Sequence, residues 1–461
     1  MRWSTLLAGL VACGEPSGSA IPIVSEGAPV LESWSGAQEC CGEDPHPVHL
    51  GLTPTGDVVM VGKAASSSGT TQGFATLWTP PTGPAEPRFV DGEKAVIRAT
   101  RQLAADSAML QVIALQDAVL AVGFQAESAT SAAAAVLWVM DPADLAIRSH
   151  LELREENETS AVFESLALDD SGLLVVGGSR GLERSGMEGF KSYGNVFGGR
   201  GVVVRLELAS VLSAEGVTQM LADQTATARD LDEVHSAKSV RFTPDGGVAV
   251  VGHDEAERSG LVRVDPSLAA HSWTRTDPQV ELTDLAVVPT TTGSYDIALV
   301  GHGGAVGIDG HMIRVTAAGE VVWSSAFGNP GVAAQDQPAE GLAPDAFVFD
   351  ECWGIARVAD GVLVAACGSG IEGCGAEVVG EVTQAERTLC RSDPRLFWRT
   401  HLVGLDLDGE VLWSRTDAFV ADGEVAASAA EHLVSDDSGH LYVLVDQDFG
   451  VGLVRFALAE R

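Results

Sequence analysis

Residues 403–417 read VGLDLDGEVLWSRTD, and residues 313–328 say nearly the same thing in IRVTAAGEVVWSSAFG. In each, an apolar run ends in a polar turn with glycine, and a tryptophan follows four residues after that glycine, at Trp413 and Trp323. Glycine permits the positive φ that tight hairpins need, and short Val/Leu runs on either side of such a turn read as strands. The same grammar recurs along the chain. VHLGLTPTGDVVMVG (48–62), FESLALDDSGLLVVGG (163–178), AKSVRFTPDGGVAVVGH (237–253), WGIARVADGVLVAAC (353–367) and AEHLVSDDSGHLYVLV (430–445) are each strand, turn, strand. Two looser copies, LQVIALQDAVLAVGF (110–124) and LTDLAVVPTTTGSYDIALVGH (282–302), fill the gaps and bring the number to seven.

Further strand pairs follow most of these hairpins, as in 259–276, 311–325 and 401–415. A four-stranded unit repeated about every sixty residues is a propeller blade, and such a repeat absorbs a chain longer than one ordinary core. The expectation is therefore an all-β fold, a single β-propeller of seven blades rather than eight. Trp273, Trp323 and Trp413 fall on outermost strands, where an aromatic can wedge against the next blade, and recurrence favours packing over catalysis. After the seventh hairpin the chain supplies one more strand, GVGLVRFALAER (450–461), and stops. The missing outer strand is expected from APVLESWSG (28–36), with Trp34 in the place Trp413 holds in its own blade; closure of this kind removes an exposed edge. The propeller is thus expected over 28–461.

The 461 residues carry 64 acidic and 28 basic side chains, a formal charge of −36. Such a balance opposes any electrostatic grip on a phosphate backbone or an anionic lipid surface, so nucleic acid is excluded as a partner. The hydrophobic content of 46% supports a sizeable core. The chain is expected as a monomer.

The amino terminus, MRWSTLLAGLVACGEPSGSA, holds one Arg, a short apolar run and then Leu10-Val11-Ala12-Cys13-Gly14. It resembles a bacterial lipoprotein signal with its lipobox. The resemblance implies a signal peptide over 1–12, lipidation of Cys13, a tether over 13–27, and, from Gly14 after the cysteine, an outer-membrane address. The apolar run is too short to span a bilayer, so membrane contact is expected through the lipid anchor only.

Six cysteines remain, at 40, 41, 352, 367, 374 and 390, an even number suited to disulfides in an oxidising compartment. The six-residue gap in CGSGIEGC (367–374) is too long for a zinc knuckle. With the turn at Ala359-Asp360-Gly361, the hairpin register sets Cys352 nearly opposite Cys367, the best disulfide. Cys374 with Cys390 would close the inserted loop. Cys40 and Cys41 are adjacent.

LVGLDLDGEVLWS resembles the repeat of the quinoprotein-like propellers, and AKSVRFTPDGGVAVVGH is similar to the bacterial β-propeller repeats of secreted proteins. These motifs specify a blade. The quinone resemblance implies a quinone cofactor, but the Trp is present in only some blades and the Arg, Asn and Glu constellation of those enzymes is missing. Cys40-Cys41 resembles the vicinal disulfide beside the quinone in alcohol dehydrogenases of that group, or each pairs elsewhere. The family resemblances also admit an outer-membrane assembly factor.

In a propeller the connections between blades and those between second and third strands emerge at one end. All six cysteines fall in or beside such connections, as do the long segments 179–201 and 328–352 and the two histidines of the Val-Gly-His repeats, His253 and His302. Long loops on a rigid ring carry function. Phe190, Tyr193, Phe197 and Phe349 supply apolar contact area, and Arg184 and Arg200 planar donors. His253 and His302 read either as ligands of one metal or as hydrogen-bonded structural groups. Asp254-Glu255, Asp406 with Asp408, and Asp436-Asp437 could bind Ca²⁺, but lack the EF-hand pattern and suit turns. No nucleophile elbow, zinc-protease helix, phosphate loop or dinucleotide fingerprint occurs. The expected function is a binding or scaffold module acting on a protein or glycan through its loop-rich face, with no catalytic residues and no cofactor assigned.

Overall fold

A computed structural model describes residues 23–458 apart from short gaps and longer ones, chiefly 81–95, 188–197, 220–225, 329–348 and 372–396. Seven antiparallel sheets follow one another along the chain, over 43–102, 106–153, 160–231, 236–275, 280–327, 349–417 and 428–457, and form the seven blades of a β-propeller. Each innermost strand touches the next one round, and that of blade 7 touches that of blade 1, so the ring is closed.

The sequence explains the stacking. Second and third strands are buried on both faces, as in Val119–Ala126 and Ala134–Met140, and accordingly read as nearly continuous apolar runs rich in Val, Leu and Ala. Side chains from facing blades meet in one buried apolar cluster at each of the seven interfaces. At about 1.5–3 kcal/mol for each fully buried Val, Leu or Phe, these interfaces are the main source of stability.

Outer strands are fastened differently. The ring of Trp323 in blade 5 lies against Gly409 in the turn of blade 6, and its Nε1 donates to the Leu407 carbonyl at 2.8 Å. This is the wedge expected from the glycine-to-tryptophan spacing. Trp413 instead covers Gly404 of its own blade and joins the cluster shared with blade 7. Trp273 lies on the outermost strand of blade 4. A second tie was not anticipated: third-strand arginines reach the next blade's turn, Arg205 to the Pro266 carbonyl, Arg263 to that of Ala317 and Arg314 to that of Leu407.

Closure matches expectation. Val30–Ala37 pairs antiparallel with Gly450–Ala457 as the fourth strand of blade 7. The register differs by one from the sequence reading. Trp413 stands opposite Gly404, whereas at the corresponding step of blade 7 Ser33 stands opposite Arg455 and Trp34 opposite Val454. Both outer strands carry a register shift beside this position, which sequence spacing does not reveal.

Two further strands extend the blades. Ile23–Val24 pairs with the outer strand of blade 6, so pairing begins ahead of residue 28. Gly216–Gln219, from the third-to-fourth connection of blade 3, pairs parallel with the outer strand of blade 2 after the short helix Leu208–Ser213.

Candidate binding face

The strand ends expected at one end do lie there, among them those that flank 183–199, 328–348 and 371–398. The opposite end carries the hairpin tips and the strand ends that flank 80–95 and 208–225.

Every innermost strand contains a register shift at the corresponding place: between Pro47 and His49, Met109 and Gln111, Phe163 and Ser165, Ala237 and Ser239, Leu282 and Asp284, Cys352 and Gly354, and Ala430 and His432. A bulge adds a residue and re-aims its neighbours. The residues just after the bulges link blade to blade. Gln111 Oε1 accepts from the Leu166 amide at 2.7 Å, Ser239 Oγ donates to Asp284 Oδ1 at 2.6 Å, and Asp284 Oδ2 accepts from the Ile355 amide at 3.2 Å. Arg241 also donates to Asp284, at 3.1 Å.

Between blades 7 and 1 the link is of another kind. The rings of His49 and His432 stack with centroids 3.6 Å apart and an interplanar angle of 31°. Among the described residues neither Nδ1 has a hydrogen-bond partner. Burial lowers both pKa values, His432 to about 4 and His49 well below 6.5; the His432 imidazole and the Arg241 cation lower His49 further, while for His432 Asp284 opposes burial and Arg241 adds to it. Both rings are therefore neutral near pH 7. Above the stack, His46 Nδ1 meets Asp446 Oδ2 at 2.6 Å across the same seam. The Asp446 carboxylate raises His46 to about 9. Lys63 lies near Glu431 and Asp446, its ammonium pushed down by burial.

The residues inside the bulges of blades 4 to 6 are Lys238, Thr283 and Trp353, and the buried Thr283 Oγ1 donates to the Cys352 carbonyl at 2.9 Å. Lys238 Nζ lies 3.4 Å from Glu281 Oε1, and His302 Nε2 lies 3.9 Å from Glu281 Oε2. Burial would raise the Glu281 carboxyl, but the Lys238 charge holds it down to about 2. Trp353 meets His302 and Trp398 edge-on, each at 6.2 Å between centroids, and half-buried Phe349 packs beside the two tryptophans.

His253 and His302 thus come together beside Glu281. Each is committed to the main chain, His253 Nε2 to the Leu282 carbonyl at 2.7 Å and His302 Nδ1 to the Cys352 carbonyl at 3.2 Å. Burial lowers both, His253 to about 4. The hydrogen-bonded alternative fits these histidines. Among the described residues no group of three or more acidic, histidine or cysteine side chains could hold a metal ion. The acidic candidates are turn residues: Asp406 Oδ1 accepts from the amides of Asp408 and Glu410, and Asp436 Oδ1 from those of Ser438 and His440. Asp254 pairs with Arg258.

Cys352 and Cys367 stand opposite each other and form the expected disulfide, wholly buried. Cys41 is disulfide-bonded to a cysteine outside the described residues. Arg184 is exposed on blade 3, three blades from Phe349, and Arg200 lies 3.5 Å from Asp230, which Arg180 also binds at 2.6 Å. Cys13, Cys40, Cys374, Cys390, Phe190, Tyr193 and Phe197 lie outside the described residues.

Glu281 and Trp353 escaped the sequence reading, yet a signal exists for the second. Eight residues before the turn glycine stand Val48, Glu164, Lys238, Trp353 and Glu431, a column of the repeat that carries charge or tryptophan in every copy but the first, where the column before it, Pro47, Phe163, Ala237, Cys352 and Ala430, carries no charge.

No family profile and no curated protein matches the chain. Similar solved structures include BamB from Moraxella catarrhalis, 11% identical over 89% of this chain and 85% of that one, with a TM-score of 0.40. A quinohemoprotein alcohol dehydrogenase from Pseudomonas putida is 11% identical over 94% and 76%, with a TM-score of 0.43. A protein of unknown function from Dyadobacter fermentans is 11% identical over 94% and 100%, with a TM-score of 0.45. At these scores none carries an argument; the fold rests on the strand pairing. Among the described residues no helix is long and apolar enough to cross a membrane.

Proposed function

We propose that the chain is a cell-envelope lipoprotein, anchored at the outer membrane through Cys13, whose propeller binds a protein or glycan through its loop-rich face. The observation that carries the binding reading is the mouth of blades 4 to 6. There half-buried Phe349 and Trp353 lie beside the Lys238–Glu281 pair, while the neighbouring imidazoles are spent on main-chain carbonyls. Aromatic area next to fixed charge on a rigid support suits recognition, because little entropy is lost on binding. The lipobox-like run through Cys13 supports the address.

Two measurements test this. Capture of partners from detergent-solubilised envelope by the full chain should fall at least tenfold, about 1.4 kcal/mol, when a Gly-Ser linker replaces 184–197 or when Trp353 becomes Ala. Unchanged capture would overturn the assignment of the face, a bound chromophore would favour a quinone enzyme, and barrel-assembly components among the partners would favour an assembly factor. Separately, Cys13→Ser should abolish lipid labelling, and labelling at the normal level would remove the anchor.

A further inference from the structure

Outer strands are open edges, and this molecule treats them unequally. Two are partly covered by its own chain, blade 6 by Ile23–Val24 and blade 2 by Gly216–Gln219. Three others carry charge along the strand: Arg98 and Arg101 in Val96–Gln102 of blade 1, Arg229 and Asp230 in Ala226–Leu231 of blade 3, and Glu32 in Val30–Ala37 of blade 7. The short blade 4 edge, His271–Arg275, ends in arginine. Charge on an edge discourages a further strand from pairing with it.

Among the described residues blade 5 has neither protection. Its outer strand, Val321–Phe327, reads VVWSSAF, seven residues without a charge or a proline, and among the described residues no strand pairs with its outer side. Val321 is 51% exposed and Val322 48%, and Ser324 and Ala326 are also exposed. The strand is held firmly from within: Trp323 Nε1 donates to the Leu407 carbonyl, and Ser325 Oγ to that of Gly409 at 2.6 Å. A fixed, uncharged, extended edge has little ordering left to lose when another strand adds to it.

We infer that the outer edge of blade 5 is a docking site for an extended segment of another polypeptide, added as a fifth strand, uncharged and β-branched along its length and basic at its ends. The chain already places strands on two other outer edges, so the geometry is native to this ring. The basic flanks follow from charge. Each copy carries −36 and Glu320 adjoins the edge, which opposes a second copy and favours a cationic segment.

The probe is a fluorescent peptide, acetyl-Lys-Val-Thr-Val-Thr-Val-Lys-amide, titrated with the full chain and read by anisotropy, with amide hydrogen exchange over 321–327. Saturable binding and added protection confined to that strand are expected. A Val322→Glu, Ala326→Glu double variant, whose changes lie at exposed positions, should keep the melting temperature and weaken binding at least tenfold. N-methylating alternate peptide amides should abolish binding for one set of positions and spare it for the other. Equal binding by the charged variant, or indifference to both methylation sets, would overturn the proposal. Light scattering that shows dimers lost in the charged variant would assign the edge to a second copy and overturn the occupant. All of these readouts are independent of capture at the loop-rich face.

Discussion

Arg415 donates through Nη1 to the Pro29 carbonyl at 2.9 Å, joining residues 386 positions apart. The same guanidinium grips Asp417 with two bonds, Nε to Oδ2 at 2.6 Å and Nη2 to Oδ1 at 2.8 Å, and lies over the ring of Phe456 at 5.0 Å. Asp417 is fully buried and Arg415 nearly so. One side chain thus ties the outer strand of blade 6 to the segment that crosses to blade 7 and completes the ring.

Removing one partner of a buried pair leaves the other charge without compensation. Arg415→Met should therefore lower unfolding stability by about 3–5 kcal/mol in denaturant titration. Arg455→Met, which leaves the partly exposed Glu32 with His440 at 3.4 Å, should cost less than about 1 kcal/mol. Deleting 28–36 should lower the melting temperature and promote aggregation by opening the blade 7 edge. Equal effects of the two methionine variants would mean that the buried pair is not a fastening of the ring.

Gly409 and Gly56 share a backbone conformation, φ +89° and +86°, but not surroundings. A Cβ at Gly409 would meet the Trp323 ring at 2.7 Å, and at Gly56 nothing lies within 4 Å. Alanine at Gly56 should cost about 1–2 kcal/mol through backbone strain alone. At Gly409 displacement of the tryptophan should add about 1–3 kcal/mol. Thermal unfolding of both variants, with tryptophan fluorescence, checks the difference.

The Cys352–Cys367 bond closes a 15-residue separation, for which loss of unfolded-state entropy amounts to about 3 kcal/mol. Replacing both cysteines by alanine should reduce stability by roughly that amount while leaving the sheet pairing intact by circular dichroism. No loss of stability would show that the hairpin is already ordered in the unfolded chain.

The seam between blades 7 and 1 should respond to pH in both directions. His46 is raised to about 9 from 6.5 by Asp446, so its contribution is full below about 6.5 and is lost as pH rises through 9. His432 is lowered to about 4 and His49 is lowered too, so theirs is present above about 6.5 and is lost as pH falls toward 4. Arg241 and Asp284 face the stack, and Lys63, Glu431 and Asp446 the rim. Relative to wild type, His432→Gln should flatten the acid limb of the stability profile and His46→Gln the alkaline limb. Parallel profiles for all three proteins would refute the assignment.

Much of this protein was legible in its sequence. Seven hairpins, their turn glycines, the closing strand near 28–36 and the Cys352–Cys367 pair all follow from local rules, because strand periodicity and turn chemistry act over a few residues and a hairpin register follows from its turn. The tertiary structure decided what crosses between blades. Asp284 finds the Ile355 amide 71 residues on, His253 the Leu282 carbonyl 29 residues on, and Arg415 the Pro29 carbonyl, and in each case the partner is a main-chain group that any sequence would supply. The bulges, the one-residue offset of Trp34, the stacked His49 and His432, and the gathering of Glu281, His302 and Trp353 belong to the same class. They depend on how twisted sheets face one another around a closed ring, a relation between distant segments on which local periodicity is silent.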